Sequence, residues 1–160
     1  MPENKIVIGL ATYARGWTLS KASDSKVGAA ASGPAKQTTF VREAGVASYY
    51  EICKMIEQGA KRYFDDEAKV PYIVMGDQWF SYDDVESFDY KLDVMMKNKY
   101  KGAFVWTLDF DDFNGQCQSS KGKKYPLLRR MKDKLSRMGS EVSCSLSLIN
   151  CMTNLFINFI

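Results

Sequence analysis

Three carboxylates stand close together in the stretch KGAFVWTLDFDDFNGQC, residues 101–117: Asp109, Asp111 and Asp112. Side chains of this type serve as acids and bases, as metal ligands or as acceptors for loop N–H groups. A calcium loop of the form D-x-[DN]-x-[DN]-G needs an oxygen ligand at its fifth position, and Phe113 stands there instead. A pair of glycosidase acids must flank one bond from two sides, with one of them raised in pKa, and neighbours on a short loop are badly disposed for that. The spacing predicts structural acceptors that rim the loop. Trp106, just upstream, ends an apolar run. Its indole offers a flat apolar face and one N–H donor, which suits the carbon face of a sugar ring and equally suits a core.

The rest of the composition narrows the chemistry. The 160 residues contain no histidine, which removes histidine triads and makes zinc or non-haem iron sites unexpected. No metal ligand set and no cofactor motif is predicted. Cys53, Cys117, Cys144 and Cys151 lack C-x-x-C spacing, so neither a zinc ribbon nor a redox pair is indicated, while disulfides remain open. With 22 basic and 19 acidic residues the net charge is +3, which exerts no general pull on nucleic acid. The basic stretch KGKKYPLLRRMKDKLSR, 121–137, reads as a helix from about Pro126, with Leu127, Leu128, Met131 and Leu135 inward and the cations in solvent. The start MPENKIVIGL has no long apolar run of a signal peptide.

Several elements must position these residues. KIVIGL, 5–10, predicts a fully buried strand, and GAFVWTL, 102–108, a second one. Residues 20–39, rich in Ser, Ala and Gly, predict a surface excursion. Val46, Tyr49, Tyr50, Cys53 and Ile56 share helical spacing, and VPYIVMGDQWFSYDD predicts a hairpin around Gly76-Asp77. Ser81 and Asp84 form an S-x-x-D cap signature before Val85, Phe88, Leu92, Met95 and Met96. Strands and helices interleave, which predicts α/β or α+β organisation. The stretch 140–160 has no charge after Glu141 and reads as unrelated to the domain, an artefact or an alternative terminus. A membrane span or a removable lipid-anchor signal is the weaker reading of it.

Four blocks in order, KIVIGLATYARGWTL, FVREAGVASYYEIC, VPYIVMGDQWFSYDDVESFDYK and GAFVWTLDFDDFNGQC, resemble the C-terminal portion of glycoside hydrolase family 18, the chitinases and chitinase-like lectins, across roughly residues 5–135. The resemblance implies an α/β fold: the C-terminal fragment of a (β/α)8 TIM barrel carrying an α+β insertion domain. On that reading residues 1–15 are the penultimate barrel strand and cleft segment, 16–99 the insertion domain, 100–139 the last strand and helix, and 140–160 an atypical tail. It implies that Trp106 floors the sugar subsite and that Tyr13 and Arg15 line the cleft, with Ala14 where the family usually has glycine. It implies further that Glu43 faces the bound sugar, that Val46 stands where methionine is frequent, and that Cys53 and Cys117 are joined.

The family's D-x-x-D-x-D-x-E motif, whose last residue is the general acid, is not among the 160 residues. No catalytic residue is therefore assigned, and the chain is expected to be inactive alone, since general acid catalysis is worth about 10²–10⁴-fold. The implied partners are chitin or chitooligosaccharides and the N-terminal half of the barrel, with no nucleic acid and no membrane, and the implied location is extracellular. The alternatives are a catalytically dead chitinase-like lectin or a non-functional gene-model fragment.

Overall fold

The computed structural model describes residues 1–138. The stretch 140–160, with Cys144 and Cys151, lies outside the described residues. Among the described residues, two sheets and three α-helices make a mixed α/β fold. Strand β1 (Val7–Ala11) runs parallel to β8 (Gly102–Trp106), pairing Val7 with Gly102 and Ala11 with Trp106. All other strands belong to one antiparallel sheet in the order β3-β2-β7-β6-β5, with β4 also paired to β2. Its strands are β2 (Tyr13–Leu19), β3 (Ala31–Pro34), β4 (Val46–Ser48), β5 (Lys61–Asp65), β6 (Val70–Met75) and β7 (Gln78–Ser81).

The hairpin β6–β7 forms as its residues predict. Met75 pairs with Gln78 across Gly76 and Asp77, and Gly76 supplies the positive φ of 61° that the tight turn requires. The buried face of the sheet carries Ala14, Ile73 and Phe80, packed in one core with Ile52, Phe88, Leu92 and Met95 from the helices. Gly16 belongs to this packing. A Cβ there would come within 2.2 Å of the Phe80 ring, so only glycine lets the ring lie flat on β2.

The region around residues 42–64 differs from the single helical pattern. Val46 lies in β4, directly opposite Arg15, and the helix α1 (Tyr49–Glu57) starts three residues later. A capping box decides that start: Ser48 accepts from the Glu51 N–H while the Glu51 carboxylate accepts from the Ser48 N–H. The excursion 20–39 is mostly exposed, yet it folds back as β3, pairing Trp17 with Pro34. Helix α2 (Val85–Lys97) is capped by Asp84 with Ser87 at the third position, so Ser81 is the last residue of β7 and not the cap.

Helix α3 (Pro126–Met138) buries Leu127 and packs Met131 and Leu135 on the core as its spacing predicts, whereas Leu128, expected on the same face, is half-buried and lies off that core. Two of its cations are held by α2: Arg130 makes a two-pronged bond to Asp89, and Lys134 pairs with Asp89 and Asp93. Strand β1 departs from full burial. Leu10 is buried, but Val7 is 47% exposed, as are Phe104 (43%) and Trp106 (65%) on β8. The β1–β8 strip buries one face and opens the other.

Candidate functional site

Trp106 closes β8 at the edge of the strip, and its indole stands in solvent. The chain that follows is held in place by polar groups. The Thr12 N–H donates to the Trp106 carbonyl at 3.1 Å, the Thr12 hydroxyl donates to the Thr107 carbonyl at 2.5 Å, and the Thr107 hydroxyl donates to the Asp109 carboxylate. The Trp106–Thr107 peptide is cis. Ala11 pairs with Trp106 and β2 begins at Tyr13, so one buried residue, Thr12, links the β1–β8 strip to the large sheet.

Side chains alternate along a strand, so Tyr13, Arg15 and Trp17 occupy the face of β2 opposite the core residue Ala14 and opposite Gly16. The Arg15 guanidinium lies 5.3 Å from the centre of the Tyr13 ring, a cation–π pair that holds an exposed cation at a fixed place on that face. Val46 is directly across from Arg15, and Glu43 precedes it in an exposed turn, its carbonyl accepting from the Val46 N–H. The Glu43 carboxylate has no hydrogen-bond or ion-pair partner among the described residues. Tyr13, Arg15 and Glu43 are thus gathered along the β2–β4 pairing, and Trp106 stands at the neighbouring strand end.

The three aspartates separate into two kinds. Asp109 is exposed, whereas Asp111 and Asp112 are 0% and 1% exposed, so two of them lie beneath the loop and do not rim it. Asp111 accepts from the N–H groups of Asp112, Leu127 and Leu128, which satisfies orphan donors at the start of α3. Burial pushes its carboxyl above the usual carboxylate range; those three N–H groups pull against the shift, and neighbouring Asp112 adds to it. Asp112 accepts from Gln116 N–H, Cys117 N–H and the Ser120 hydroxyl. The structural reading of the cluster holds, with the carboxylates as internal fasteners.

Cys117, delivered by that loop, forms a disulfide with Cys53 of α1, their Cα atoms 5.4 Å apart. The same contact surface carries Phe113 edge-on to Tyr50 at 5.5 Å and the Gln118 N–H bonded to Glu57. Burial pushes the Tyr49 phenol up to about 12, while a hydrogen bond from Ser119 pulls the other way, so Tyr49 stays neutral at this junction.

Two further features of the region have only faint signals in the sequence. Buried Glu51 accepts from the Thr38 hydroxyl, the Phe40 N–H and Ser48, which fastens the loop ahead of Glu43 to α1. The S-x-x-E spacing of Ser48 and Glu51 was the available signal. Trp17 begins a row of rings across the open face: Trp17 on Trp79, Trp79 on Tyr72, Tyr72 on Tyr63, at centroid separations of 5.8, 5.1 and 5.1 Å. The period-two spacing of Tyr13, Arg15 and Trp17 announced that face. Because Tyr72 is covered on both sides by nearly parallel rings, the row acts as cross-strand packing.

A sequence model of the glycosyl hydrolases family 18 matches residues 1–111. The chain belongs to glycosyl hydrolases family 18. A Caenorhabditis elegans relative named "Probable endochitinase" is 54% identical over 128 residues, which are 80% of this chain and 21% of the relative. Among solved structures, an immunomodulatory active chitinase from Trichuris suis superposes with a TM-score of 0.83 at 56% identity, covering 84% of this chain and 37% of its own. Human YKL-39, described as a pseudo-chitinase with retained chitooligosaccharide binding properties, superposes with a TM-score of 0.79 at 38% identity, covering 85% and 36%. This family 18 chain therefore spans roughly a fifth of that curated relative and just over a third of those two structures.

Proposed function

We propose that this chain is the sugar-cleft wall and floor of a chitin-binding, chitin-hydrolysing family 18 glycosidase of the secreted type. In this reading residues 1–15 and 100–139 belong to the last two strands of a (β/α)8 barrel, and 16–99 form the insertion domain between them. Tyr13–Arg15 is the cleft segment, hydrogen-bonded into the insertion sheet. Trp106 floors the sugar subsite, Tyr13 and Arg15 line it, and Glu43 reaches the ring's polar edge. The observation that carries the reading is the place of Trp106: a flat ring, 65% exposed, at the tip of β8, where the chain from β1 passes through Thr12 straight into the Tyr13–Arg15 segment.

The reaction in the whole enzyme is substrate-assisted: the N-acetyl oxygen attacks the anomeric carbon as an acid protonates the leaving oxygen. The residues here supply binding and orientation to that reaction. No D-x-x-D-x-D-x-E run is present among them, so the 160-residue chain binds without cleaving. The Cys53–Cys117 disulfide supports an oxidising, extracellular setting. The test is a titration of the purified chain with tetra-N-acetylchitotetraose, followed by tryptophan fluorescence and by chromatography. Saturable quenching that disappears in Trp106→Ala, with no shorter product, is expected; product release, or quenching unaffected by Trp106→Ala, overturns the reading.

A second reading, a lectin without hydrolysis even at full length, is favoured by the likeness to YKL-39, a pseudo-chitinase that binds chitooligosaccharides. Hydrolysis by the full-length protein decides between the two.

A further inference from the structure

We infer that Thr12 is a positioning residue that holds the Trp106 indole in register with the Tyr13–Arg15 wall. The inference rests on the reading of Trp106 as a sugar platform and adds the group that orients it. An indole that is 65% exposed has little packing around it, so the Cα–Cβ direction and the rotamers open to it rest on the backbone that carries it. That backbone is held at two successive carbonyls by one residue. The Thr12 N–H takes the Trp106 carbonyl and the Thr12 hydroxyl takes the Thr107 carbonyl, 95 positions away in sequence.

Thr12 is itself 1% exposed and sits between the last residue of β1 and the first of β2. Its carbonyl accepts from the Tyr49 N–H at 2.9 Å, the first residue of α1. Its three polar groups therefore reach the turn after β8 and the start of α1, while the next residue along the chain is Tyr13. The main chain of Thr12 thus joins the platform strand to the inserted lobe, and its hydroxyl adds the one side-chain bond, to the carbonyl that follows Trp106. In a site that works by stacking a flat ring on a flat ring, a tilt of the platform costs affinity without costing the fold.

The test uses the full 160-residue chain labelled with ¹⁵N, whose three tryptophan indole N–H signals report Trp17, Trp79 and Trp106 separately. Thr12→Val keeps the shape and removes the donor; Thr12→Ser keeps the donor and removes the methyl. Thr12→Val is expected to broaden or split the Trp106 indole signal and to weaken tetra-N-acetylchitotetraose binding about tenfold, with the Trp17 and Trp79 signals unmoved. Thr12→Ser is expected to stay within about twofold of the parent chain.

A Thr12→Val chain with an unchanged Trp106 signal overturns the inference. So does a Thr12→Ser chain that behaves like the valine variant, since the methyl would then be the working group. Should the valine chain not fold, Thr12→Ala against Thr12→Ser poses the same question, with the serine chain alone expected to keep the signal. If the parent chain shows no Trp106 shift with the sugar, the platform reading fails by itself, and the indole signal of the variants still decides whether Thr12 orients Trp106.

Discussion

The antiparallel sheet with its helices and the parallel β1–β8 strip are built from similar residues and reach opposite ends. The sheet sets Ala14, Ile73 and Phe80 against Ile52, Phe88 and Leu92, all within 1% of complete burial. The strip has equally apolar strands but leaves Val7, Phe104 and Trp106 in solvent. Alternation explains the difference: a strand with both sides apolar needs a cover on each, and the helices supply one only. The two share one core, to which the strip contributes Leu10 with Ile8, Ala103 and Val105 packed beside it, but the sheet meets that core with its most fully buried side chains and the strip with one face only.

The comparison is broken most forcefully in the core. Phe80→Ala should cost about 3–5 kcal/mol, because it empties the space that Gly16 leaves for the ring, and the urea midpoint will report it. Next comes the fastening between the regions. Cys117→Ser should lower stability by about 4 kcal/mol on chain-entropy grounds, given the sequence separation of 64, and hydrogen exchange should rise in the loop 107–120 before it rises in β6 and β7. Trp106→Ala should remove about tenfold or more of chitooligosaccharide affinity with little movement of the melting temperature, since the ring it deletes is not part of the core.

Smaller effects sharpen the same contrast. Burial raises the Asp89 carboxyl, but hydrogen bonds and charge from Arg130 and Lys134 outweigh it and hold the group below the usual carboxylate range. A depressed carboxylate contributes stability that is present above its unfolded pKa and lost as pH falls through its folded value. Asp89→Asn should therefore cost about 1 kcal/mol at neutral pH, and less below the ordinary carboxylate range, where the parent chain has lost the same contribution; melting curves from pH 7 to 2 measure it. Phe104→Ala should change stability least, by about 0.5 kcal/mol or less in the same urea assay, against the 3–5 of its buried counterpart.

The sequence made much of this visible for identifiable reasons. The Gly76-Asp77 turn, the apolar stripe of α2 and the inward face of α3 are local patterns with local causes; the turn is found, and the two helix faces are found except for Val85, which is 37% exposed, and Leu128, which lies off the core. The junction of β4 and α1 was missed because Val46 and Tyr49 fit a helical spacing by coincidence, and the Ser48–Glu51 cap outranks spacing. Trp106 was identifiable by its type and its place after an apolar run, but its exposure depends on what covers β8, which no local pattern contains. The spacing of the aspartates marks them as acceptors but carries no sign of their burial, because the partners of Asp111 lie at Leu127 and Leu128, beyond a loop.

The Cys53–Cys117 bond also decides how a cut chain behaves. Every peptide link from 54 to 116 lies inside a closed ring of chain, including the exposed turn at Asp66-Glu67. A protease that nicks that turn leaves the two pieces covalently joined, so an unreduced gel would show one band of full mass and the break would emerge only after thiol treatment.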